Sequence, residues 1–383
     1  MKKLICILLG ISLGIAAAEK GPKPPKVLPI GSDLPAFSQK GIDGEIHSVG
    51  DFSEAEVLCV IFTSNHCPDA IAAAKRMEEI HQDYKDKGVA FVAVSSNHPD
   101  SLRPDELSYT LYGDSYEEMT PFAESHGWTF PYLYDAEEQE MATAFGAQAT
   151  PHAFVFDKER KLRYSGRLDD GRRDPGPVKK SYLRDALDAV LAGGEVEEPV
   201  TRAFGCSTKW LYKKESVSKA EEEWKKAPVI VKSMDLDLAK KVRANKSGNI
   251  RVINFWATYC GPCVTEFPEL IATYRRFENR NVDFVSISMD AIENKEIVHK
   301  FLESRNAATP KRIQVSLEKE GREAMHYIWD GGNPDKLAEA MFPEWTGALP
   351  LTLILSAEGK VLWSKEAEVE KMELLGEILK ALE

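Results

Sequence analysis

Two cysteines separated by two residues give this sequence its clearest chemical signal. The motif Cys260-Gly261-Pro262-Cys263 follows an apolar run and opens a segment with helical periodicity. A thiol at a helix start meets unpaired backbone N–H groups and the positive end of the helix dipole, which lower its pKa. A second sulfur one helical turn away can displace a captured partner by intramolecular attack. We predict that Cys260 is the attacking thiolate and Cys263 the resolving thiol of dithiol–disulfide exchange.

Two other interpretations of this motif stay open. A Cys-x-x-Cys pair can be half of a metal site, but the sequence has no second pair, and the next residue is Val264 instead of the His of a haem-attachment motif. The motif can also form a purely structural disulfide, although so short a loop contributes less stability than a long one. We expect no metal and no cofactor.

A segment of the first half aligns without gaps with this motif. Residues 62–70 match residues 255–263, with Cys67 in the place of Cys260 and Ala70 in the place of the second cysteine. Each cysteine follows an apolar run and precedes a helical segment. The first half therefore offers a single thiol at a predicted helix start.

The neighbours of Cys67 point in different directions. Pro68 suits a first helical turn, and Asp69 suits the positive end of the helix dipole, but the charge of Asp69 disfavours a thiolate. His66 either tunes Cys67 or is a solvated loop histidine. Cys59 lies within an apolar run and is predicted to be an inert core thiol.

Cys206 lies outside the predicted core, in a tail rich in turn residues. We hypothesise that it folds back and resolves Cys67 by forming an intramolecular disulfide. Structural burial of Cys206 is the competing account. A disulfide needs the two Cα atoms within about 7 Å, which the sequence does not give.

Alternating apolar runs and amphipathic segments position these residues. In the first half, strands are predicted at 57–62, 89–94, 152–156 and 162–164, and helices at 69–87, 116–126, 137–145 and 179–191. In the second half, strands are predicted at 252–256, 282–289, 351–355 and 360–363, and helices at 263–277, 295–303 and 368–382, with a long irregular stretch before Pro350. This order predicts an α/β protein with mostly parallel sheets and late antiparallel hairpins.

The two halves repeat one order of elements. Pro151 and Pro350 each directly precede a long apolar strand, and their separations from Cys67 and Cys260 are nearly equal. The extra length of the second half lies between residues 289 and 350. We predict one fold used twice.

The second-half motif resembles a known family. Residues 255–263, Phe-Trp-Ala-Thr-Tyr-Cys-Gly-Pro-Cys, resemble the active-site segment of thioredoxins, and Leu349-Pro350 resembles their cis-proline loop. The resemblance implies two tandem thioredoxin-like folds, each a central mixed sheet flanked by helices. It also implies that Trp256, Leu349 and Pro350 form the substrate-binding face.

The continuation, Val-Thr-Glu-Phe-Pro-Glu-Leu at residues 264–270, more narrowly resembles the exported TlpA-like thiol-disulfide reductases. Their motif carries an acid three residues after the second cysteine, and Glu266 matches it. Ordinary thioredoxins have a proton-accepting Asp six residues before the first cysteine, where this sequence has Asn254. The resemblance therefore assigns proton handling to Glu266, and the Gly261-Pro262 pair favours the reductase direction.

The first half resembles, across about residues 29–210, redoxin-like proteins related to the alkyl hydroperoxide reductase and thiol-specific antioxidant group. The matching stretches are Asn-His-Cys-Pro at 65–68, Ala-Thr-Pro-His at 149–152 and Gly-Cys-Ser-Thr-Lys-Trp at 205–210. Thr150 and Pro151 match the substrate-binding loop. True peroxiredoxins have a Pro where this chain has Val60, which disfavours a peroxidase.

Three functions for the first half stay open. Cys67 is a relay thiol, or it is the peroxidatic thiol of an antioxidant enzyme, or the first half binds a client without chemistry of its own. Ala70 favours the last of these, whereas Cys206 argues against it.

The ends and the charge of the chain limit its compartment and partners. Residues 1–18 combine two lysines, an apolar stretch and a small-residue ending, which is typical of a secretory signal peptide. No later apolar run approaches membrane length. Since Asp and Glu (61) outnumber Lys and Arg (49), we expect no nucleic-acid partner. The expected partners are protein thiols and disulfides and a membrane or soluble electron donor, in the periplasm or outside the cell.

The expected organisation is a signal peptide (1–18), a Pro- and Lys-rich leader (19–28), a redoxin-like domain (29–210), a linker (211–228) and a TlpA-like domain (229–383).

Overall fold

The structure is a computed structural model that describes residues 22–173 and 176–383. The predicted signal peptide, which contains Cys6, lies outside these residues. No helix within the described part of the chain is both long and apolar enough to cross a bilayer.

The first half is built on one large sheet and one short strand pair. The strands of this half are β1 (Ser38–Gly41), β2 (Ile46–Ser48), β3 (Val57–Thr63), β4 (Val89–Ser95), β5 (Tyr132–Tyr134), β6 (Ala149–Thr150), β7 (His152–Phe156), β8 (Leu162–Gly166) and β9 (Cys206–Ser207). Its helices are α1 (Pro68–Tyr84), α2 (Tyr116–Ser125), α3 (Glu140–Phe145) and α4 (Tyr182–Leu191), and α5 (Lys214–Lys225) leads into the second half.

In this sheet the described strands lie in the order β2-β1-β5-β4-β3-β7-β8, and β6 pairs separately with β9. Strand β3 is parallel to β4 and antiparallel to β7. All residues of β3 are buried, because the strand lies at the centre of the sheet and is covered on both faces.

The second half repeats this plan. Its strands are β10 (Val231–Met234), β11 (Ile250–Trp256), β12 (Val282–Ser288), β13 (His326–Trp329), β14 (Leu351–Leu355) and β15 (Val361–Lys365). Its helices are α6 (Leu236–Ala244), α7 (Gly261–Arg276), α8 (Lys295–Ser304), α9 (Lys311–Glu320), α10 (Pro334–Met341) and α11 (Lys371–Ala381).

The second sheet has the order β10-β13-β12-β11-β14-β15 among the described strands. Strand β11 is parallel to β12 and antiparallel to β14, and β14 forms a hairpin with β15. These pairings reproduce those of β3, β4, β7 and β8. The prediction of two tandem thioredoxin-like folds is confirmed.

The prediction of a long irregular stretch before Pro350 is wrong. This stretch contains α9, β13 and α10. Strand β13 is only four residues long and fully buried between two parallel neighbours, so its sequence shows no alternation. Helix α10 does carry a local start signal, an Asn333 side chain that accepts from the backbone of Asp335 and a proline at its first turn.

The segment between the two sheets is also more ordered than its mixed charge indicated. Helix α5 packs the Trp224 ring against Tyr274, with ring centroids 6.4 Å apart, and Arg275 pairs with Glu221 at 2.5 Å. At the end of α7, the buried Arg276 donates to the carbonyl oxygens of Leu107 (2.7 Å) and Thr110. The two halves are therefore in direct contact.

Candidate functional site

Helix α7 begins directly at the Cys-x-x-Cys motif. Cys260 is its N-cap, and the backbone N–H of Cys263 donates to Cys260 Sγ at 3.3 Å. The two cysteines are joined by a disulfide. Cys263 is fully buried, whereas Cys260 is half-buried, so an incoming thiolate reaches the Cys260 sulfur first.

The cis-proline loop packs on the same hydrophobic cluster as this disulfide. The Leu349–Pro350 peptide is cis, and the half-buried side chains of Leu349 and Cys260 pack against the same hydrophobic cluster. Trp256, in contrast, is not at the predicted substrate face. It is fully buried and packs on Phe267 and Phe301, with ring centroids 4.6 and 4.8 Å away, because it is the last residue of the central strand β11.

Glu266 lies on the buried face of α7, three residues after Cys263. Its Oε1 accepts from Asn254 Nδ2 at 2.9 Å, and its Oε2 accepts from the backbone N–H of Val369 at 2.9 Å. Burial outweighs these two hydrogen bonds and raises the pKa of Glu266 to about 7. Residues three apart share a helix face, so an acid that titrates near neutral pH lies one turn from the resolving sulfur.

Aspartates that the sequence analysis did not single out hold both cysteine loops. Asp290 accepts from the backbone N–H of Thr258 at 2.9 Å, and Asp114 accepts from that of the aligned residue Asn65 at 2.8 Å. Asp290 follows the carboxyl end of β12, where functional residues of parallel sheets often lie. Its position after an apolar run could therefore have marked Asp290 as a site residue. Asp114 lies in an irregular segment with no comparable signal.

The thiol of the first half is covered, unlike its counterpart. Cys67 is the N-cap of α1 and is fully buried. Strand β9 pairs with β6 so that Cys206 lies opposite Thr150, and Cys206 N–H donates to Cys67 Sγ at 3.2 Å. The Cys67 thiol itself donates to the Thr150 carbonyl oxygen at 3.0 Å. Cys206 is thus beside Cys67, while Thr150 and Pro151, predicted to bind substrate, lie buried.

His66 is bound within the protein, so the solvated-loop interpretation is wrong. Its Nδ1 lies 2.6 Å from Oδ2 of Asp114, and both side chains are buried. Burial alone lowers the pKa of His66, but the charge of Asp114 outweighs it and the net pKa is raised. For Asp114, burial raises the pKa, and the charge and hydrogen bonds of His66 and its neighbours lower it below the usual range.

These surroundings favour the Cys67 thiolate. Hydrogen bonding from the Cys206 side chain lowers the pKa of Cys67, whereas burial raises it. Backbone N–H donors and the charge of His66 lower it further, and the pKa of Cys67 falls to about 6. Asp69 opposes the thiolate less than its charge predicts, since Arg173 binds it at 3.0 Å. Burial instead raises the pKa of Cys59, as expected for an inert core thiol.

The dependence of Cys67 on its neighbour gives a direct prediction. Cys206→Ala removes the S–H donor, so we expect the pKa of Cys67 to rise by about one unit or more. Cys206→Ser keeps a hydroxyl donor and is expected to leave this pKa low. The measurement is the ultraviolet thiolate absorbance against pH, in full-length chains whose other accessible cysteines are serine. Equal titration curves for the two variants contradict the assignment.

The remaining chemistry of the second half has no counterpart in the first. Ala70, Ala73 and Ile61 occupy the positions that align with Cys263, Glu266 and Asn254. The first half therefore lacks both the adjacent resolving thiol and the buried acid. Within the described residues, no group of three or more His, Cys, Asp or Glu side chains is arranged to hold a metal ion.

Comparison with known proteins agrees with this geometry. The model of the AhpC/TSA family matches residues 30–165 and again residues 225–364. The thiol-disulfide oxidoreductase ResA of Geobacillus thermodenitrificans is 25% identical over 163 residues, which cover 43% of this chain and 83% of that protein.

Two further matches cover different shares of the two chains compared. ResA of Bacillus subtilis is 26% identical over 110 residues, 29% of this chain and only 49% of that protein. Among solved structures, an uncharacterized conserved protein from Geobacillus kaustophilus is 36% identical, with a TM-score of 0.44, over 49% of this chain and 95% of that one.

Proposed function

Since this chain belongs to the AhpC/TSA family through both of its halves, we propose that it is a thiol-disulfide oxidoreductase that reduces protein disulfides with Cys260 and Cys263. One observation carries the proposal: the two sulfurs are paired at the start of α7, with only Cys260 accessible. Two relatives of this chain are named thiol-disulfide oxidoreductase ResA.

The reaction begins from the dithiol. The Cys260 thiolate attacks one sulfur of a client disulfide, which forms a Cys260–client bond and releases the other client sulfur as a thiolate. Cys263 then gives its proton to Glu266 and attacks Cys260 Sγ. This step forms the Cys260–Cys263 disulfide and releases the second client thiolate, which takes up a proton. A dithiol donor returns the enzyme to its reduced state.

The cis-proline loop offers the client a place to pair. Among the described residues, Leu349 makes no backbone hydrogen bond, whereas the matching Thr150 is paired with Cys206. An extended client segment can use the free N–H and C=O of Leu349 while its sulfur lies over Cys260.

We place this activity outside the cytoplasm. The predicted signal peptide and the need for persistent protein disulfides as substrates both favour an oxidising compartment. The Gly261-Pro262 pair between the cysteines favours the reductase direction. The electron donor is a membrane or soluble dithiol protein.

A peroxidase activity at Cys67 is the alternative for the first half. Its full burial beneath β9 and the Val60 position both weigh against it. Hydrogen peroxide consumption that depends on Cys67 would restore this alternative.

Trapping tests the proposal. Full-length Cys263→Ser protein is expected to accumulate a mixed disulfide between Cys260 and a disulfide-bearing protein such as insulin, because the resolving thiol is missing. Cys260→Ser in a chain that also carries Cys67→Ser and Cys206→Ser should trap nothing, and the chain with only Cys67→Ser and Cys206→Ser should reduce insulin at the normal rate with dithiothreitol as donor. Undiminished turnover of Cys260→Ser protein in the Cys67→Ser and Cys206→Ser background would overturn the proposal.

A further inference from the structure

The cis-proline loop of the first half already holds an extended segment with a cysteine in it. Strand β9 runs antiparallel to β6, with Ala149 opposite Ser207 and Thr150 opposite Cys206. The chain itself thus supplies, at Cys67, the kind of paired strand that we assign to a client at Cys260. Cys206 stands in the place of the client cysteine.

The contact between the two cysteines is direct. Cys206 N–H lies 3.2 Å from Cys67 Sγ, and the Cys206 side chain is the main cause of the lowered pKa of Cys67. Because the Cys206 backbone lies this close to Cys67 Sγ, rotation about the Cα–Cβ bond of Cys206 can bring the two sulfurs to bonding distance.

The sequence around Cys206 is shaped for this close approach. Gly205 has φ of +146°, and a Cβ there would lie 1.9 Å from the Thr150 carbonyl oxygen. Only glycine lets β9 lie so close to the loop. On the other side, Thr208 donates to the Ala147 carbonyl oxygen at 2.9 Å, and Lys209 N–H donates to Asn97 Oδ1 at 2.8 Å.

Structural burial alone does not explain these contacts. Cys59, a buried thiol in β3 eight residues before Cys67, lies in an apolar cluster. Cys67 instead faces a backbone N–H, a second thiol and the buried His66–Asp114 pair. Groups of this kind stabilise a thiolate, which is the reactive form in disulfide exchange.

We propose that Cys67 and Cys206 form a reversible disulfide, a second redox centre that works independently of Cys260 and Cys263 and exchanges with external thiols and disulfides through Cys206. The segment at residues 205–210 is a tethered substrate strand. It covers Cys67 and presents the half-exposed Cys206 to solvent.

The exchange balances in two steps. An incoming thiolate attacks Cys206 Sγ of the disulfide, which forms a mixed disulfide at Cys206 and releases Cys67 as a thiolate. A second external thiolate attacks the external sulfur of this mixed disulfide, so a new external disulfide forms and Cys206 leaves and takes up a proton. Two electrons move to the protein. In the reverse direction, an external disulfide is the oxidant.

The direction of attack follows from access and from the leaving group. Cys67 is buried and Cys206 is half-exposed, so only Cys206 meets a partner while β9 stays in place. A thiolate that the protein stabilises is also the better leaving group.

The test uses the full chain with Cys6, Cys260 and Cys263 changed to serine, equilibrated with reduced and oxidised glutathione, quenched in acid, alkylated and mapped by mass spectrometry. We expect a Cys67–Cys206 peptide whose amount rises and falls reversibly with the glutathione ratio. Cys59 should stay reduced. The absence of this peptide at every ratio would overturn the proposal and would leave the activity of Cys260 untouched.

A pulse of reduced glutathione on the oxidised chain tests the direction. We expect at least about tenfold more glutathione adduct on Cys206 than on Cys67, because the buried sulfur is not attacked. An adduct mainly on Cys67 would contradict the role of the tethered strand.

Gly205→Ala tests the strand itself. The added Cβ displaces β9, which lowers the effective concentration of the Cys206 sulfur at Cys67. We therefore expect half-oxidation of the pair to require a glutathione ratio about tenfold or more further toward oxidised glutathione. Gly193→Ala is the matched control, since Gly193 also has positive φ (+67°) but has open space around it. Equal shifts in both variants would show that the effect comes from backbone strain and not from the position of β9, which would contradict the role of the tethered strand.

Discussion

Replacing Glu266 with glutamine is expected to slow the resolution of the Cys260 mixed disulfide by about 100-fold, the lower end of what a positioned general base contributes. Glu266 shares the buried face of α7 with Cys263, and its pKa of about 7 lets it take the Cys263 proton near neutral pH. In the wild-type chain the rate should therefore rise as the pH passes through about 7. In Glu266→Gln protein this rise should be absent.

The substitution preserves the packing around the site. Asn254 Nδ2 donates to Glu266, and within the described residues Asn254 Oδ1 has no partner, so its amide can turn to accept from glutamine. Single-turnover release of a trapped client, followed across pH, measures the effect. The matched control is Glu269→Gln on the exposed side of the same helix. A normal pH profile in Glu266→Gln protein would remove Glu266 from the mechanism.

The same carboxyl group links stability to pH. Burial raises the pKa of Glu266 from 4.5 to about 7, so the folded state holds this proton more tightly than the unfolded chain. Its contribution, about 3 kcal/mol, is fully present below pH 4.5 and is lost as the pH rises through 7. The wild-type chain should lose more stability than Glu266→Gln protein over this range.

Replacing Asp283 with asparagine is expected to destabilise the second half by about 3–5 kcal/mol. Asp283 Oδ2 lies 2.7 Å from Arg251 and 2.5 Å from Arg322, and Glu320 completes the group by binding both arginines. All four side chains are almost completely buried. The substitution leaves two buried guanidinium groups with one carboxylate, an uncompensated charge in a medium of low polarity.

Urea unfolding monitored by hydrogen exchange separates the two halves. Peptides of the second half should lose protection at lower urea in Asp283→Asn protein, while peptides around β3 and β4 should change much less. Glu323→Gln is the control, because Glu323 binds Lys232 at the surface and such pairs contribute about 1 kcal/mol or less. A similar loss in both variants would mean that the buried group is not a network of paired charges.

Local chemistry explains how much of the site the sequence predicts. The Cys260–Cys263 spacing, the helix start and Glu266 all lie within seven residues, where helix periodicity fixes which side chains share a face. The central strands β3 and β11 are continuous apolar runs, so their burial is also readable. Short strands such as β13 are not, because their order comes from neighbours distant in sequence.

The sequence by itself determined that a dithiol opens a helix after a buried strand, that the same frame occurs twice, and that the first copy has lost its second thiol. Only the tertiary structure decided that Cys206 returns to Cys67 and that Asp114 binds His66. The physical reason is that these contacts join residues far apart along the chain. Their distances depend on how sheets and loops pack, which no local periodicity encodes.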